Sequence, residues 1–415
     1  MALFTQLFLL FLILGTLLQL WLLYRHLQHV TQHRSQVPAA FKDRVPLEDH
    51  QKAADYTQAK GKLAFIEALI GVALLLFWTL GGGLELLIQY WNGMQWGPLT
   101  TGIVFIFSFF FIGSLLDLPF DLYRTFRLEA LFGFNRNTPQ QYIKDRLIGL
   151  LLSILLGLPL LWVILKLMAS AGEYWWLAAW LVWLSFTLTI SWAYPRFIAP
   201  LFNKFTPLSE GEMRERIGSL LQRCGFTSDG IFVMDGSKRS AHGNAYFTGF
   251  GKTKRIVFFD TLLEALNADE VEAVLAHELG HFHYKHIHKQ MLVMALLSLG
   301  AMALLGWLSQ ELWFYNGLGI SEASNAAALL LFVLTIPVFT IFFTPLGSFL
   351  SRRHEFEADD YAVSQSSGEF LIQALVKLYQ DNASTLTPDP LYSFFHDSHP
   401  PAPVRIAHIS KQITQ

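Results

Sequence analysis

The sequence predicts a mainly α membrane protein, a bundle of seven transmembrane helices carrying a small α+β unit built on an H-E-x-x-H helix. Three observations predict it. Of 415 residues, 53% are hydrophobic and 15% charged, and the mean hydropathy is +0.38, too apolar for an ordinary soluble domain. Seven stretches are long enough to cross a hydrocarbon core, which takes about 20 residues in helical form. The pentapeptide His277-Glu278-Leu279-Gly280-His281 sits in an apolar helical run directly before one of those stretches.

The spans are expected near residues 4–24, 63–90, 100–123, 147–169, 174–194, 290–312 and 326–349. The first has no basic lead-in and is too long for the apolar part of a signal peptide, so it is read as a retained span. Between the fifth and sixth, residues 195–289 form the longest polar insertion. Within it Ile231 to Met234 and Arg255 to Phe259 read as short strands separated by Gly-rich turns. The chain is thus expected to divide into 1–194 (spans one to five), 195–289 (the insertion with the H-E-x-x-H helix), 290–350 (spans six and seven) and 351–415 (a C-terminal region).

Basic residues fix the expected orientation, because Lys and Arg are held on the cytoplasmic side. Arg25, Arg34, Lys42 and Arg44 follow the first span, and Arg124, Arg127, Arg136, Lys144 and Arg146 follow the third. Arg196, Lys204, Lys285, Lys289, Arg352 and Arg353 edge the insertion and the tail. The short connections around Asn92, around Glu173 and over 310–325 carry neither Lys nor Arg. The N-terminus is therefore expected outside, with the insertion and C-terminus in the cytoplasm. The last residues, Lys411 to Gln415, show no basic retrieval signal, so a bacterial inner membrane is the expected location, with the endoplasmic reticulum membrane as the alternative. The formal net charge of −2 gives no reason to expect nucleic acid as a partner.

Successive helical residues turn by about 100°, so His277 and His281 lie within about 40° of each other on one side of a helix. That is the arrangement in which two imidazoles from one rigid element ligate zinc, with Glu278 close enough to take a proton from water the metal activates. Asn267-Ala268-Asp269-Glu270 supplies capping-capable residues before the apolar spacing of Val271 to Ala276, so the motif is expected to be helical. Gly280 costs about 1 kcal/mol relative to Ala inside a helix, which suggests that a neighbour needs its space. His283, His286 and His288 are expected on the same helix as polar residues at the membrane interface. Cys224 is the single cysteine, which excludes multi-thiolate metal sites and leaves His and carboxylate as ligands.

A catalytic zinc site needs a third protein ligand and an open position. The best candidates follow the seventh span, in Ser351-Arg352-Arg353-His354-Glu355-Phe356-Glu357-Ala358-Asp359. Glu355 and Asp359 are four apart and share a helical face, so that one could ligate the metal while the other accepts a hydrogen bond from a ligating imidazole. The same segment also reads as an interfacial charged helix with Arg–Glu pairs. Glu67, Glu85, Asp117 and Asp121 lie in or near spans, where charges are expected to face protein or water rather than lipid.

Six separated motifs make the chain resemble the type I CAAX prenyl protease family of integral-membrane zinc peptidases. They are Leu118 to Phe126 with Glu129 and Phe132-Gly133-Phe134-Asn135; Ile198 to Phe205; His242 to Gly249; the HELGH core; Glu355-Phe356-Glu357-Ala358-Asp359; and Ser398-His399-Pro400-Pro401 with Arg405. The resemblance implies a ring of helices around a hydrated intramembrane chamber, closed at its cytoplasmic end by the zinc-metallopeptidase domain. It implies one zinc held by His277, His281 and Glu355, with Glu278 as general base and Asp359 steadying a ligand imidazole. It implies Asn244 on a short edge segment that holds the substrate backbone, which agrees with strand addition as a way to present an extended peptide. His399 and Arg405 match catalytic groups near the site, and His399 is expected to hydrogen-bond the oxyanion. The implied substrates are peptides or proteins cut near the C-terminus, prenylated or not. Two other readings stand beside this one: a general quality-control zinc protease for membrane proteins, and a polytopic transport or metal-sensing protein without catalysis.

Overall fold

The structure is a computed structural model that describes residues 3–248 and 254–414; Gly249, in one of the motifs above, lies outside them. Among the described residues, seven helices are long and apolar enough to cross a membrane: Leu3–His33, Leu47–Trp78, Pro98–Leu131, Pro139–Ser170, Gly172–Phe202, His286–Leu308 and Asn325–Gln365. Most outrun the expected spans, because a helix need not stop where its apolar stretch does. A 32-residue helix such as Leu47–Trp78 is about 48 Å long, against a hydrocarbon core of about 30 Å. The polar extensions of the first two spans pack on each other. Arg34 grips Asp55 at 2.7 and 2.8 Å, and Gly61 lets Leu27 approach so closely that a Cβ there would collide with Leu27 Cδ2.

Two expected boundaries are corrected. The second span ends at Trp78, and residues 83–92 form a separate helix, because Gly81-Gly82-Gly83 breaks the run with Gly82 at φ 80°. The HELGH helix, Ala268–His283, stops before the sixth span begins at His286. Lys285 adopts a left-handed conformation at φ 57°, a turn that residues other than Gly enter at a cost. His283 is therefore the last residue of one helix, while His286 and His288 open the next at a new angle.

The insertion folds around a four-stranded sheet of order β1-β2-β4-β3. The expected strands are β2 (Ile231–Met234) and β4 (Arg255–Phe259), and they pair in parallel. Flanking them antiparallel are β1 (Phe205–Pro207) and β3 (Ala245–Thr248), which the sequence did not announce. Ile256, Val257 and Phe258 of β4 are buried, and so are Val271, Leu275 and Leu279 of the HELGH helix. With Leu220, Leu371 and Leu375 the last three, Ile256 and Phe258 form a core separate from the membrane core around Phe8, Phe105, Phe314 and Leu331. The membrane bundle and peptidase unit are stitched by Arg239, whose guanidinium holds Asp145 at 2.7 and 2.9 Å and reaches Asn203 Oδ1 and the Phe202 carbonyl at 2.6 Å.

Glu67, Glu85 and Asp121 are compensated, whereas Asp117 is exposed. Arg124 pairs with Glu67 and, at 3.0 Å, with Asp121, which Arg146 also engages; Glu85 accepts hydrogen bonds from Ser321 N at 3.1 Å and Gln89 at 2.9 Å. The HELGH helix starts in a capping box: Asn267 Oδ1 accepts from Glu270 N at 2.9 Å, and Glu270 Oε2 accepts from Asn267 N at 2.8 Å. Asn267→Ala is expected to cost about 1 kcal/mol, read as a lowered thermal midpoint in detergent with the metal content of the folded protein unchanged.

Candidate active site

The site is made where two helices nearly touch. A Cβ on Gly280 would lie 2.8 Å from Ala358 Cα and 3.1 Å from its carbonyl oxygen, so only glycine permits this spacing between Ala268–His283 and Thr344–Gln365. One turn of each helix then faces the other. His277 Nε2 lies 3.3 Å from His281 Nε2 and 3.5 Å from Glu355 Oε2, and His281 Nε2 lies 3.4 Å from Glu355 Oε1. These three residues form the one group of potential metal ligands found among the described residues.

The donors fit a divalent metal. Edges of this length belong to a tetrahedron whose corners stand about 2.1 Å from its centre, the distance at which imidazole nitrogen and carboxylate oxygen bind zinc. Glu355 Oε2 is also buried without a hydrogen-bond partner, which would be costly for a carboxylate whose purpose was packing.

The His277 ring is fixed from behind. Its Nδ1 lies 2.8 Å from Asp359 Oδ1, and Arg405 grips the same carboxylate through Nε at 2.9 Å and Nη2 at 2.5 Å. Arg405 Nη2 also stands 3.2 Å from His277 Nδ1, but Nδ1 cannot accept from Arg405 while donating to Asp359. The shorter contact, to an acceptor-only carboxylate, decides the tautomer. The proton sits on Nδ1, and the Nε2 lone pair points at the other two donors. Asp359 and Arg405 are both buried, so each needs the other to offset its desolvation.

Glu278 is half-buried on the same helix. Burial raises its carboxyl above the usual carboxylate range, with His277 and Arg405 opposing and Glu355 reinforcing the rise. That brings it toward the pKa a general base needs near neutral pH. His399 comes from the loop before the last helix, with its side chain 64% exposed and Nε2 3.4 Å from Glu355 Oε1; Ser398 Oγ contacts its Nδ1 at 3.0 Å. Asn244 is exposed immediately before β3, one of the sheet's two edge strands. Its carbonyl accepts from Phe259 N at 2.9 Å and its side chain accepts from Ala245 N at 2.8 Å. No hydrogen bond joins it to the ligand triad among the described residues. The loop before it is anchored by His242, stacked on Phe134 with centroids 4.5 Å apart and 3.0 Å from Asn382 Oδ1.

The sequence reading placed His286 at a membrane interface. It is instead buried beside His281. Its five-residue offset from His281 follows no helical repeat, and only the turn at Lys285 brings the two together.

A helical membrane bundle holding a two-histidine, one-carboxylate site beside a half-buried glutamate defines an integral-membrane metallopeptidase. Residues 26–204 match the family model described as the CAAX prenyl protease N-terminal region with five membrane helices, and residues 207–413 match peptidase family M48. The chain belongs to peptidase family M48 and is a membrane metalloprotease homologous to CAAX prenyl protease 1. It is 36% identical to the CAAX prenyl protease 1 homolog of Dictyostelium discoideum, covering 91% of this chain and 90% of that one. It is 34% identical to CAAX prenyl protease 1 of Saccharomyces cerevisiae, with 92% and 89% covered. The crystal structure of S. mikatae Ste24p superposes with a TM-score of 0.90 at 31% identity over 99% of both chains. These relatives do not favour the transport, metal-sensing or general quality-control readings.

Gly280→Ala tests the close approach. Its methyl group would press on Ala358 backbone, an overpacking expected to cost about 1–3 kcal/mol. Metal retained after dialysis is expected to fall together with the thermal midpoint.

Proposed function

We propose that the protein cuts peptide bonds near the C-terminus of extended substrates, CAAX-type prenylated ones among them, with one zinc ion held by His277, His281 and Glu355. The observation that carries this reading is the triangle of donors on two helices locked together at Gly280. Zinc is favoured over softer or harder ions by two imidazoles and one carboxylate with no thiolate. The relatives named for CAAX prenyl proteolysis support the substrate class.

Bound zinc would acidify water and polarise the scissile carbonyl. The chain's own groups do the rest. Glu278 takes the water proton and can pass it to the leaving amine. His399, standing in the open beside Glu355, donates a hydrogen bond to the oxyanion, a contact typically worth about 3 kcal/mol. Asp359 orients His277, and Arg405 holds Asp359 in place. Arg405 acts through these contacts as a positioning residue. Asn244 and β3 offer an edge to which a peptide backbone can add as a further strand.

The distribution of Lys and Arg supports a cytoplasmic active site and an outside N-terminus, in a bacterial inner membrane or, alternatively, the endoplasmic reticulum. The division into 1–194, 195–289, 290–350 and 351–415 follows the same reading, with the ligands drawn from both sides of the 290–350 pair of spans. A lipidated tail could remain among apolar side chains while its peptide reaches the polar site.

Metal-replete protein in detergent is expected to cleave a synthetic farnesylated CAAX peptide. Glu278→Gln is expected to lower kcat by several orders of magnitude with metal content unchanged, whereas Glu355→Ala should lose stoichiometric metal. Absence of product from the metal-replete protein would count against the substrate class, and retained metal in Glu355→Ala against the ligand set.

A further inference from the structure

The ring of His281 is also fixed from behind, through His286 and Glu357. His281 Nδ1 lies 3.0 Å from His286 Nδ1, and His286 Nε2 lies 2.9 Å from Glu357 Oε2. Glu357 Oε1 is held in turn by Arg353 Nε at 3.1 Å. His286 is only 4% exposed, and its ring is stacked on His354 with centroids 4.0 Å apart and planes 14° from parallel. It therefore has little freedom to turn away.

The proton positions follow from the one member that cannot donate. Ionised Glu357 is an acceptor only, so His286 Nε2 must carry a proton. A neutral His286 then presents a lone pair at Nδ1. His281 answers with a proton on its own Nδ1, which leaves the His281 Nε2 lone pair directed at His277 Nε2 and Glu355. The reverse order would set two acceptors against each other at the 2.9 Å contact and point an N–H into the ligand triangle. Glu357 thus selects the ligating tautomer of His281 through His286, as Asp359 does for His277 directly. Partners of this kind typically change metal affinity by about 10–100-fold.

We propose that His286, oriented by Glu357, is a positioning residue that sets the tautomer and angle of His281 and so raises the site's affinity for metal. This rests on the assignment of His281 as a ligand. The test measures zinc affinity of the full chain in detergent by chelator competition, together with the absorption spectrum of the cobalt-loaded protein. His286→Phe keeps the ring volume and the stack on His354 but removes the acceptor. It is expected to bind zinc about 10–100-fold more weakly and to shift the cobalt bands. His286→Asn, whose side-chain oxygen can stand near the place of Nδ1, is expected to recover most of that loss. Wild-type affinity with an unchanged cobalt spectrum in His286→Phe, or no recovery in a folded His286→Asn, would overturn the proposal. Glu357→Ala leaves His286 in place and decides the matter if His286→Phe does not fold; weakened zinc binding supports the relay and wild-type binding overturns it. Glu355→Ala is measured in parallel. If it loses zinc while the His286 variants keep it, the relay alone fails; if it also keeps zinc, the ligand assignment has failed first.

Discussion

The contact on which the site depends is the near-collision of two helix backbones at Gly280 and Ala358. A triad of potential metal ligands drawn from residues almost eighty positions apart needs its carrying helices closer than ordinary side chains allow, because imidazole and carboxylate arms are short. Removing one Cβ supplies the distance. The glycine that weakens helix propensity locally is the residue that lets Glu355 face His277 and His281.

Burial then shapes the chemistry. Asp359, Arg405 and His277 form a compact charged group away from solvent. Such a group is stable only if every member is satisfied, since removing one partner leaves an uncompensated charge. Arg405 comes from the last helix, Ala402–Ile413, so the chain's C-terminal region is tied to the ligand shell while His399, just before that helix, stays exposed toward the ligands. Arg405 and His277 hold Asp359 in place, whereas burial raises the carboxyl of Glu278, which has no comparable cation of its own. Two nearby carboxylates are set to different work by their neighbours.

The membrane bundle contributes more than an anchor. Its spans continue past their apolar stretches, and the seventh delivers Glu355 on a helix that leads on from Asn325. The sixth starts immediately after the turn at Lys285. Arg239 adds a clamp from the loop before β3 to the fourth and fifth spans. The edge strand β3 and the helices carrying His277, His281 and Glu355 are thereby referred to one frame.

Local rules wrote much of this into the sequence. Apolar length marked the membrane helices, a four-residue spacing put His277 beside His281 and Glu355 beside Asp359, and short apolar runs between Gly-rich turns gave β2 and β4. Asn267 and Glu270 announced the start of the motif helix because a cap needs only neighbours in the chain. The break after Trp78 was signalled locally by Gly81-Gly82-Gly83, whereas the strands β1 and β3 and the separation of His286 from the HELGH helix were not legible. Each depends on contacts or backbone choices made by distant segments: β1 and β3 exist because β2 and β4 offer edges, and Lys285 enters a left-handed turn because the sixth span must leave at another angle. The sequence by itself determined the membrane class and the kinds of ligand available. Only the tertiary structure decided which nitrogen of each imidazole faces the site, because that choice belongs to the acceptors behind the rings, Asp359 and the His286–Glu357 pair, and these are brought there by packing between helices remote in the chain.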